Sequence, residues 1–157
     1  KTSSMGRLFD AAASLLGLCD RNSYEGEAAM YLEALARKAS IAARHPLLPP
    51  DGTADIPAAG LLAAMEKALE DGKPHADLAA DFLFTLAGCI LARAEAGGYP
   101  HIGFSGGVFQ NTLLVSMIQH LNAGERQLYF HRELSPNDEN IAFGQLMYYL
   151  YCHSQRV

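Results

Sequence analysis

The chain has 157 residues, of which 50% are hydrophobic, and a formal net charge of −5 at pH 7. This length suits one domain with its own core, and a negative charge without any basic stripe argues against a nucleic-acid-binding protein. No apolar run reaches transmembrane length and no signal peptide is recognisable, so we expect a cytoplasmic protein with no membrane partner. Cys19, Cys89 and Cys152 form no CxxC pair, and we expect reduced thiols.

The first half of the chain is predicted to be helical, because apolar residues recur there at helical spacing. In the second helix Tyr31 is expected to face the core, and Glu33 and Arg37 are spaced as a surface ion pair. A loop with three prolines is predicted over residues 44–55. The four helices cover about residues 4–16 and 25–39, the stretch from Pro57 through Leu69, and the stretch through Leu78 and Ile90 that stops at Gly97-Gly98.

The second half has the pattern strand, helix, strand, helix. Such an order builds parallel strands flanked by helices, so the predicted fold class is α/β. The predicted elements are a buried strand at 102–104, a helix that follows Ser105-Gly106-Gly107 and ends near Ala123-Gly124, a second strand at 127–130, and a last helix with Ile141, Phe143, Met147 and Tyr148 to Leu150 largely buried.

The turn Ser105-Gly106-Gly107 is the most informative local feature. A strand, a glycine turn and a helix start are how α/β proteins bring backbone N–H groups to a phosphate or a nucleotide. Asn111, expected one turn into the helix, carries an amide that both donates and accepts. Glycine also suits tight turns for steric reasons alone, so a ligand-binding turn and a purely structural one both remain open here.

A second polar cluster, Asn137-Asp138-Glu139-Asn140, stands where the last helix is predicted to begin. Asp138 could cap that helix, or it could be a ligand of a hard divalent cation such as Mg²⁺. Loops that follow parallel strands lie at the same carboxyl edge of a sheet, so Asp138 is expected to face the same crevice as the glycine turn. A nucleotide's phosphates and their metal ion need these two features close together.

The first helix carries a third cluster, in which Gly6 and Asp10 lie one helical turn apart. A glycine inside a helix costs about 1 kcal/mol relative to alanine, which close approach of a ligand or of another backbone would explain. Asp10 could then accept a ribose hydroxyl. Helix packing at Gly6 with a solvated Asp10 explains the pattern equally well.

Four motifs occur in a fixed order: Ser-Ser-Met-Gly-Arg-Leu-Phe-Asp at 3–10, Ser-Tyr-Glu-Gly-Glu-Ala-Ala at 23–29, Ser-Gly-Gly-Val-Phe-Gln-Asn at 105–111, and Asn-Asp-x-x-Ile-Ala-x-Gly-Gln at 137–145. Together they resemble the C-terminal part of the HypF family, the carbamoyltransferases of NiFe-hydrogenase maturation. The resemblance covers nearly the whole chain.

The resemblance implies that residues 1–157 are the C-terminal lobe of a TsaD-like domain with an actin-like ATPase (ASKHA) fold, within a longer enzyme. It implies an enzyme that makes carbamoyl-adenylate from carbamoyl phosphate and ATP and transfers the carbamoyl group to the C-terminal cysteine of HypE. That group later becomes a cyanide ligand of the hydrogenase iron. By match to the motifs, Gly6, Asp10, Gly106, Gly107 and Asn111 would hold the nucleotide, Asp138 would bind the metal ion, and Gly26 is a weaker candidate for the same pocket.

The chain departs from the family at Glu139-Asn140, where the family often has glycines. The family's two metal-binding histidines lie in an N-terminal lobe outside this sequence. The chain alone is therefore expected to bind metal weakly, to be inactive, and to self-associate through the apolar face that the missing lobe would cover. The alternatives are an O-carbamoyltransferase, a TsaD-like tRNA threonylcarbamoyl transferase, and a non-catalytic helical interaction module.

Overall fold

The computed structural model describes residues 4–52 and 55–154, so Ser3 of the first motif and positions 53 and 54 of the predicted loop lie outside the described residues. Short 3-10 turns lie at Ile41–Ala43, Gly107–Gln110 and Asp138–Asn140. In this part of the chain, six α-helices and two strands follow in the order α1 (Met5–Leu15), α2 (Glu27–Ala36), α3 (Ala58–Glu70), α4 (His75–Ala96), β1 (His101–Phe104), α5 (Thr112–Asn122), β2 (Gln127–Phe130) and α6 (Ile141–Ser154).

Helix α4 is the centre of the core, and α2, α3 and α5 pack against it. Its Leu78, Phe82 and Leu86 are at most 1% exposed, as their spacing predicted. Phe9 of α1 meets Phe82 edge to face, with ring centroids 5.4 Å apart, a favoured arrangement for aromatic pairs. Among the described residues α4 is the one helix long and apolar enough to cross a membrane, but 61% of that stretch is buried inside the protein. It is therefore the core helix of this fold.

Strands β1 and β2 pair in parallel, and α5 connects them. The register runs from His101 opposite Gln127 to Phe104 opposite Phe130. At the last pair the two phenylalanine rings stack with centroids 4.4 Å apart. The predicted α/β class and the predicted second strand are both confirmed. Because both strands end at one edge, the loops that follow them meet there.

Two predicted placements of side chains are wrong. Tyr31 is 46% exposed, because it lies on the outer face of α2, where its hydroxyl donates to Glu27. Helix α6 buries none of its residues, although Ile141, Phe143, Met147 and Tyr148 to Leu150 were expected to be largely buried. The apolar pattern of α6 was recognised correctly, but the described residues provide no surface that covers it.

A buried ion network attaches the segment before α3 to α4. Asp81 is 2% exposed, and its carboxylate pairs with Lys73 and, at 3.2 Å, with Arg44. The Arg44 guanidinium lies 2.8 Å from Asp77 and also donates to the Ser40 carbonyl. Charges at this depth are tolerated only when they are paired, so the network fixes how the Ser40–Arg44 segment crosses α4.

Replacing Asp81 with alanine should destabilise the chain by about 3–5 kcal/mol, because the change removes the buried carboxylate that pairs with both Arg44 and Lys73. Urea unfolding followed by circular dichroism measures this. Asp77→Ala is the matched control, because Asp77 is 34% exposed and its pair with Arg44 should contribute at most about 1 kcal/mol. Equal losses in the two variants would contradict this account of the network.

Candidate functional site

One open cleft of about 1330 Å³ joins the sequence clusters that were singled out as functional. Its walls come from α1, the α1–α2 loop with the start of α2, the turn after β1, and the loop before α6. Of the residues proposed to bind ligands, Gly6, Asp10, Gly26, Gly107, Asn111 and Asp138 all line it. Three clusters that are up to 132 residues apart in sequence (Gly6 to Asp138) thus share one cleft, and Gly106 is the one proposed residue that is not among the lining residues.

Gly106 has a structural role in the turn. Its φ of 112° lies in a region that side chains rarely adopt, so glycine is required there. Its N–H group donates to the carbonyl of Pro136 at 2.6 Å, which joins the turn to the loop after β2. The Gly106 amide is thus satisfied within the protein, and of the two glycines Gly107 is the one that faces the cleft.

Asn111 is the N-cap of α5, one turn earlier in the helix than the sequence suggested, because a 3-10 turn at Gly107–Gln110 precedes it. Its Oδ1 accepts the Leu114 N–H at 2.8 Å. The residue is 7% exposed, and its Nδ2 atom is buried and has no hydrogen-bond partner among the described residues. Native proteins rarely leave a buried donor unpaired, so this atom is a candidate donor to an acceptor outside the described residues.

Glu33 holds α2 against the start of α5. The expected ion pair with Arg37 is present at 2.6 Å, but the same Glu33 oxygen also accepts from the Thr112 hydroxyl at 3.0 Å and from the Leu113 N–H at 3.2 Å. A carboxylate at a helix N-terminus is stabilised by the helix dipole. Sequence reasoning missed this role because the partners lie 79 and 80 residues away, and no local signal marks them.

The α1 wall presents Gly6 and Asp10 to the cleft. A Cβ atom at Gly6 would meet only the Ser4 hydroxyl, at 3.6 Å, so packing does not explain the glycine. The Asp10 carboxylate accepts from Arg7 at 3.2 Å and from the Asn22 amide at 3.0 Å. A carboxylate offers about four acceptor positions, so Asp10 is held in place and can still accept from a ligand.

The loop before α2 forms the rim of the cleft. Gly26 caps α2 with a φ of 83°, and Asn22 accepts the Ala28 N–H at 3.1 Å. Hydrogen bonds from the Ser23 backbone N–H and then from the Ser23 hydroxyl lower the pKa of Glu27, and so keep its carboxylate charged. These contacts order the rim through the backbone and local side chains.

Asp138 lies in the cleft wall at the start of the 3-10 turn that leads into α6, and it is not the capping residue of that turn. The neighbouring Asn137 supplies the cap, accepting the Glu139 N–H at 3.2 Å. Asp138 is exposed and its carboxylate faces the cleft residues. No group of three or more His, Cys, Asp or Glu side chains within the described ranges could hold a metal ion, so Asp138 can contribute one ligand at most.

The cleft is electronegative. Two guanidinium groups, those of Arg7 and Arg21, stand against the six carboxylates of Asp10, Asp20, Glu25, Glu33, Asp138 and Glu139. A phosphate group that binds here needs a positive counter-charge beyond what this chain supplies.

Comparison with known proteins decides the family. Residues 1–145 match the family model described as carbamoyltransferase, Kae1-like domain, second subdomain. The chain belongs to the HypF carbamoyltransferase family. It is 41% identical over 149 residues to the carbamoyltransferase HypF of Rhodobacter capsulatus and 34% identical over 147 residues to that of Synechocystis, in each case over 93% of this chain and 19% of the relative.

Solved HypF structures agree with this assignment. T. kodakarensis HypF superposes with a TM-score of 0.80 at 31% identity, over 97% of this chain and 20% of that one. A full-length HypF in a phosphate- and nucleotide-bound form gives a TM-score of 0.72 at 28% identity, over 91% of this chain and 23% of that one. The chain therefore spans about a fifth of the length of the HypF proteins it matches.

Proposed function

We propose that this chain is the lobe of a HypF-type enzyme that holds carbamoyl-adenylate while its carbamoyl group passes to the C-terminal cysteine of the partner protein HypE. The unpartnered Nδ2 atom of Asn111, buried in the cleft where the three clusters meet, is the observation that carries the proposal. The similarity to a HypF structure in a nucleotide- and phosphate-bound form supports it.

In this proposal each wall binds a different part of the nucleotide. Asn111 Nδ2 and the backbone of Gly107 donate to phosphate oxygens, because both lie on the turn after β1. Asp10 accepts from a ribose hydroxyl, and the missing side chain of Gly6 leaves room for the sugar. The proposed reaction sequence is the one that the family resemblance implies: carbamoyl phosphate and ATP form carbamoyl-adenylate first, and the carbamoyl group is transferred afterwards.

The transfer step requires an activated acyl group and a nucleophile. Carbamoyl-adenylate is a mixed anhydride from which AMP leaves when a thiolate attacks the carbamoyl carbon. Cys19 lines the cleft, but its thiol lies 3.4 Å from the Arg21 carbonyl and 3.5 Å from Asn22 Oδ1, both acceptors. It therefore serves as a hydrogen-bond donor here, and we assign the attacking thiolate to HypE.

A divalent cation would neutralise phosphate charge in a cleft whose charged side chains are mainly carboxylates. Asp138 is the ligand we propose from this chain. The described residues do not complete a metal site, so the remaining ligands would come from polypeptide that this chain does not include. From the family resemblance we also propose that the chain is one lobe of an ASKHA-type domain, and from the sequence that it is located in the cytoplasm.

Asn111→Asp separates ligand binding from helix capping. Aspartate caps helices as well as asparagine does, but it replaces the free donor with a second oxygen that repels phosphate. In the full-length enzyme, pyrophosphate release from ATP and carbamoyl phosphate should persist, while carbamoyl transfer to HypE falls by about 10- to 100-fold, the loss expected for one hydrogen bond to a charged group.

Asn122→Asp is a control for the stability cost of a carboxylate at a buried asparagine of the same helix, because Asn122 lies at the far end of α5 outside the cleft. Its Nδ2 donates to the Arg126 carbonyl at 2.8 Å, so the change costs stability there, and transfer is compared at a temperature where both variants are folded. Its transfer rate should match that of the wild type. Wild-type transfer by Asn111→Asp would contradict a nucleotide-binding role, and would favour a structural module whose glycine turns serve packing alone.

Helix α6 is the surface through which we expect this lobe to join the rest of the enzyme. It carries no Asp, Glu, Lys or Arg, and its apolar residues are exposed on every side: Ile141, Phe143, Leu146, Met147, Tyr148, Tyr149, Leu150 and Tyr151 are between 47% and 71% exposed. A helix that is apolar all round is typical of a protein core. We propose that the polypeptide missing here covers it, and that the isolated chain self-associates.

Replacing both Tyr148 and Tyr151 with lysine should therefore reduce an unwanted association of the isolated chain but damage the full-length enzyme. Analytical ultracentrifugation should show less self-association of the isolated chain, while the full-length enzyme should lose thermal stability because charges enter a covered surface. Tyr99→Lys, at another exposed tyrosine, should change neither. A full-length double variant as stable as the wild type would show that α6 is not covered in the enzyme.

A further inference from the structure

Two segments at the carboxyl edge of the sheet form one wall of the cleft: the turn at 105–111 and the loop at 131–140. Strand pairing between them ends at Phe104 and Phe130. Beyond that point they are joined by the bond from Gly106 N–H to the Pro136 carbonyl, by a 3.4 Å contact between Gln110 and Ser135, and by a relay of three side chains.

The relay consists of Ser105, His131 and Asn140. The Asn140 Nδ2 donates to the Ser135 carbonyl at 2.6 Å and lies 3.4 Å from His131 Nδ1. The other ring nitrogen, His131 Nε2, lies 3.3 Å from the Ser105 hydroxyl. The imidazole thus bridges the residue that opens the glycine turn and the residue that ends the Asp138–Asn140 turn.

The direction of these hydrogen bonds follows from the Asn140 amide. The atom bonded to the Ser135 carbonyl must be the NH₂ group, which can only donate, so His131 Nδ1 is an acceptor. The neutral ring then carries its proton on Nε2 and donates to Ser105. A base that activates a serine must instead accept the hydroxyl proton, so the trio is not arranged as a nucleophile and its base.

We propose that His131 is a positioning residue that sets Asp138 against the glycine turn. Asn140, which His131 contacts, belongs to the same short 3-10 turn that Asp138 opens, so a shift at Asn140 displaces Asp138 relative to Gly107 and Asn111. This inference rests on the proposed function, since the position of Asp138 matters only if the cleft carries out the transfer.

His131→Ala in the full-length enzyme tests the relay. Transfer to HypE should fall by about 10- to 100-fold, because displacing a reacting group by about 1 Å can cost that much, while the midpoint of thermal unfolding stays at the wild-type value. Hydrogen–deuterium exchange should rise in the segment 131–140 and remain unchanged in α4 and α5. His131→Gln, whose amide can still donate to Ser105, should recover part of the activity.

His101→Ala is the matched control, because His101 is an exposed histidine whose Nδ1 lies 3.3 Å from a hydroxyl, that of Tyr129, at the opposite end of the same strands. It should leave transfer and exchange unchanged. If Ser105 and His131 act as one unit, Ser105→Ala combined with His131→Ala should lower transfer no further than His131→Ala alone.

Two results would overturn the positioning role: wild-type transfer by His131→Ala, or a double variant in which the two losses multiply. Asp138→Ala separates this failure from a failure of the proposed function. If Asp138→Ala abolishes transfer while His131→Ala does not, the proposed function stands and the relay is incidental. If neither variant changes transfer, both proposals are wrong.

Discussion

The parallel pairing of β1 with β2 is the constraint on which the cleft depends. Two strands of four residues give little stability by themselves, but α5 packs on the core helix α4 and fixes both of them. Because the strands run in the same direction and end together at Phe104 and Phe130, the turn with Gly107 and the loop with Asp138 must lie side by side. An antiparallel pair would have placed these loops at opposite ends.

The start of α5 carries residues that stabilise the helix and also line the proposed binding site. The Asn111 side chain divides its hydrogen bonds, with the oxygen capping the helix and the nitrogen left buried in the cleft. Glu33 of α2 accepts hydrogen bonds from the first turn of α5. These bonds hold α2, and with it the α1–α2 wall of the cleft, against the start of α5. A buried donor without a partner lowers the free energy of unfolding, and such destabilising features are found most often at functional sites.

Local signals in the sequence predicted the elements well. Helical periodicity and glycine breaks predicted α1, α2, α3 and α4, and the run Gln127-Leu128-Tyr129-Phe130 predicted β2, because such signals depend on near neighbours. The co-location of the glycine turn and Asp138 also followed, since it required only the β-α-β order. The 3-10 turn at Gly107–Gln110 that makes Asn111 a cap was missed, because the glycines at its start suit several backbone conformations.

Contacts over long sequence distances could not be predicted in this way. Nothing near Glu33 indicates Thr112, and nothing near Ser105 indicates His131 or Asn140. The apolar residues of α6 correctly predicted a helix, but their predicted burial is wrong within the described residues. The same incompleteness affects the cleft, where carboxylates outnumber guanidinium groups and the described residues assemble no metal site. Both features agree with a chain that spans about a fifth of the length of the HypF proteins it matches.

A crystal structure of the full-length enzyme with bound ATP or AMP would test the central claim most directly. The account predicts a phosphate oxygen at about 3 Å from Asn111 Nδ2, with the nucleotide lying between the α1 wall and the turn after β1. A nucleotide bound elsewhere in the enzyme, with Asn111 Nδ2 still unpaired or satisfied by another protein group, would contradict it.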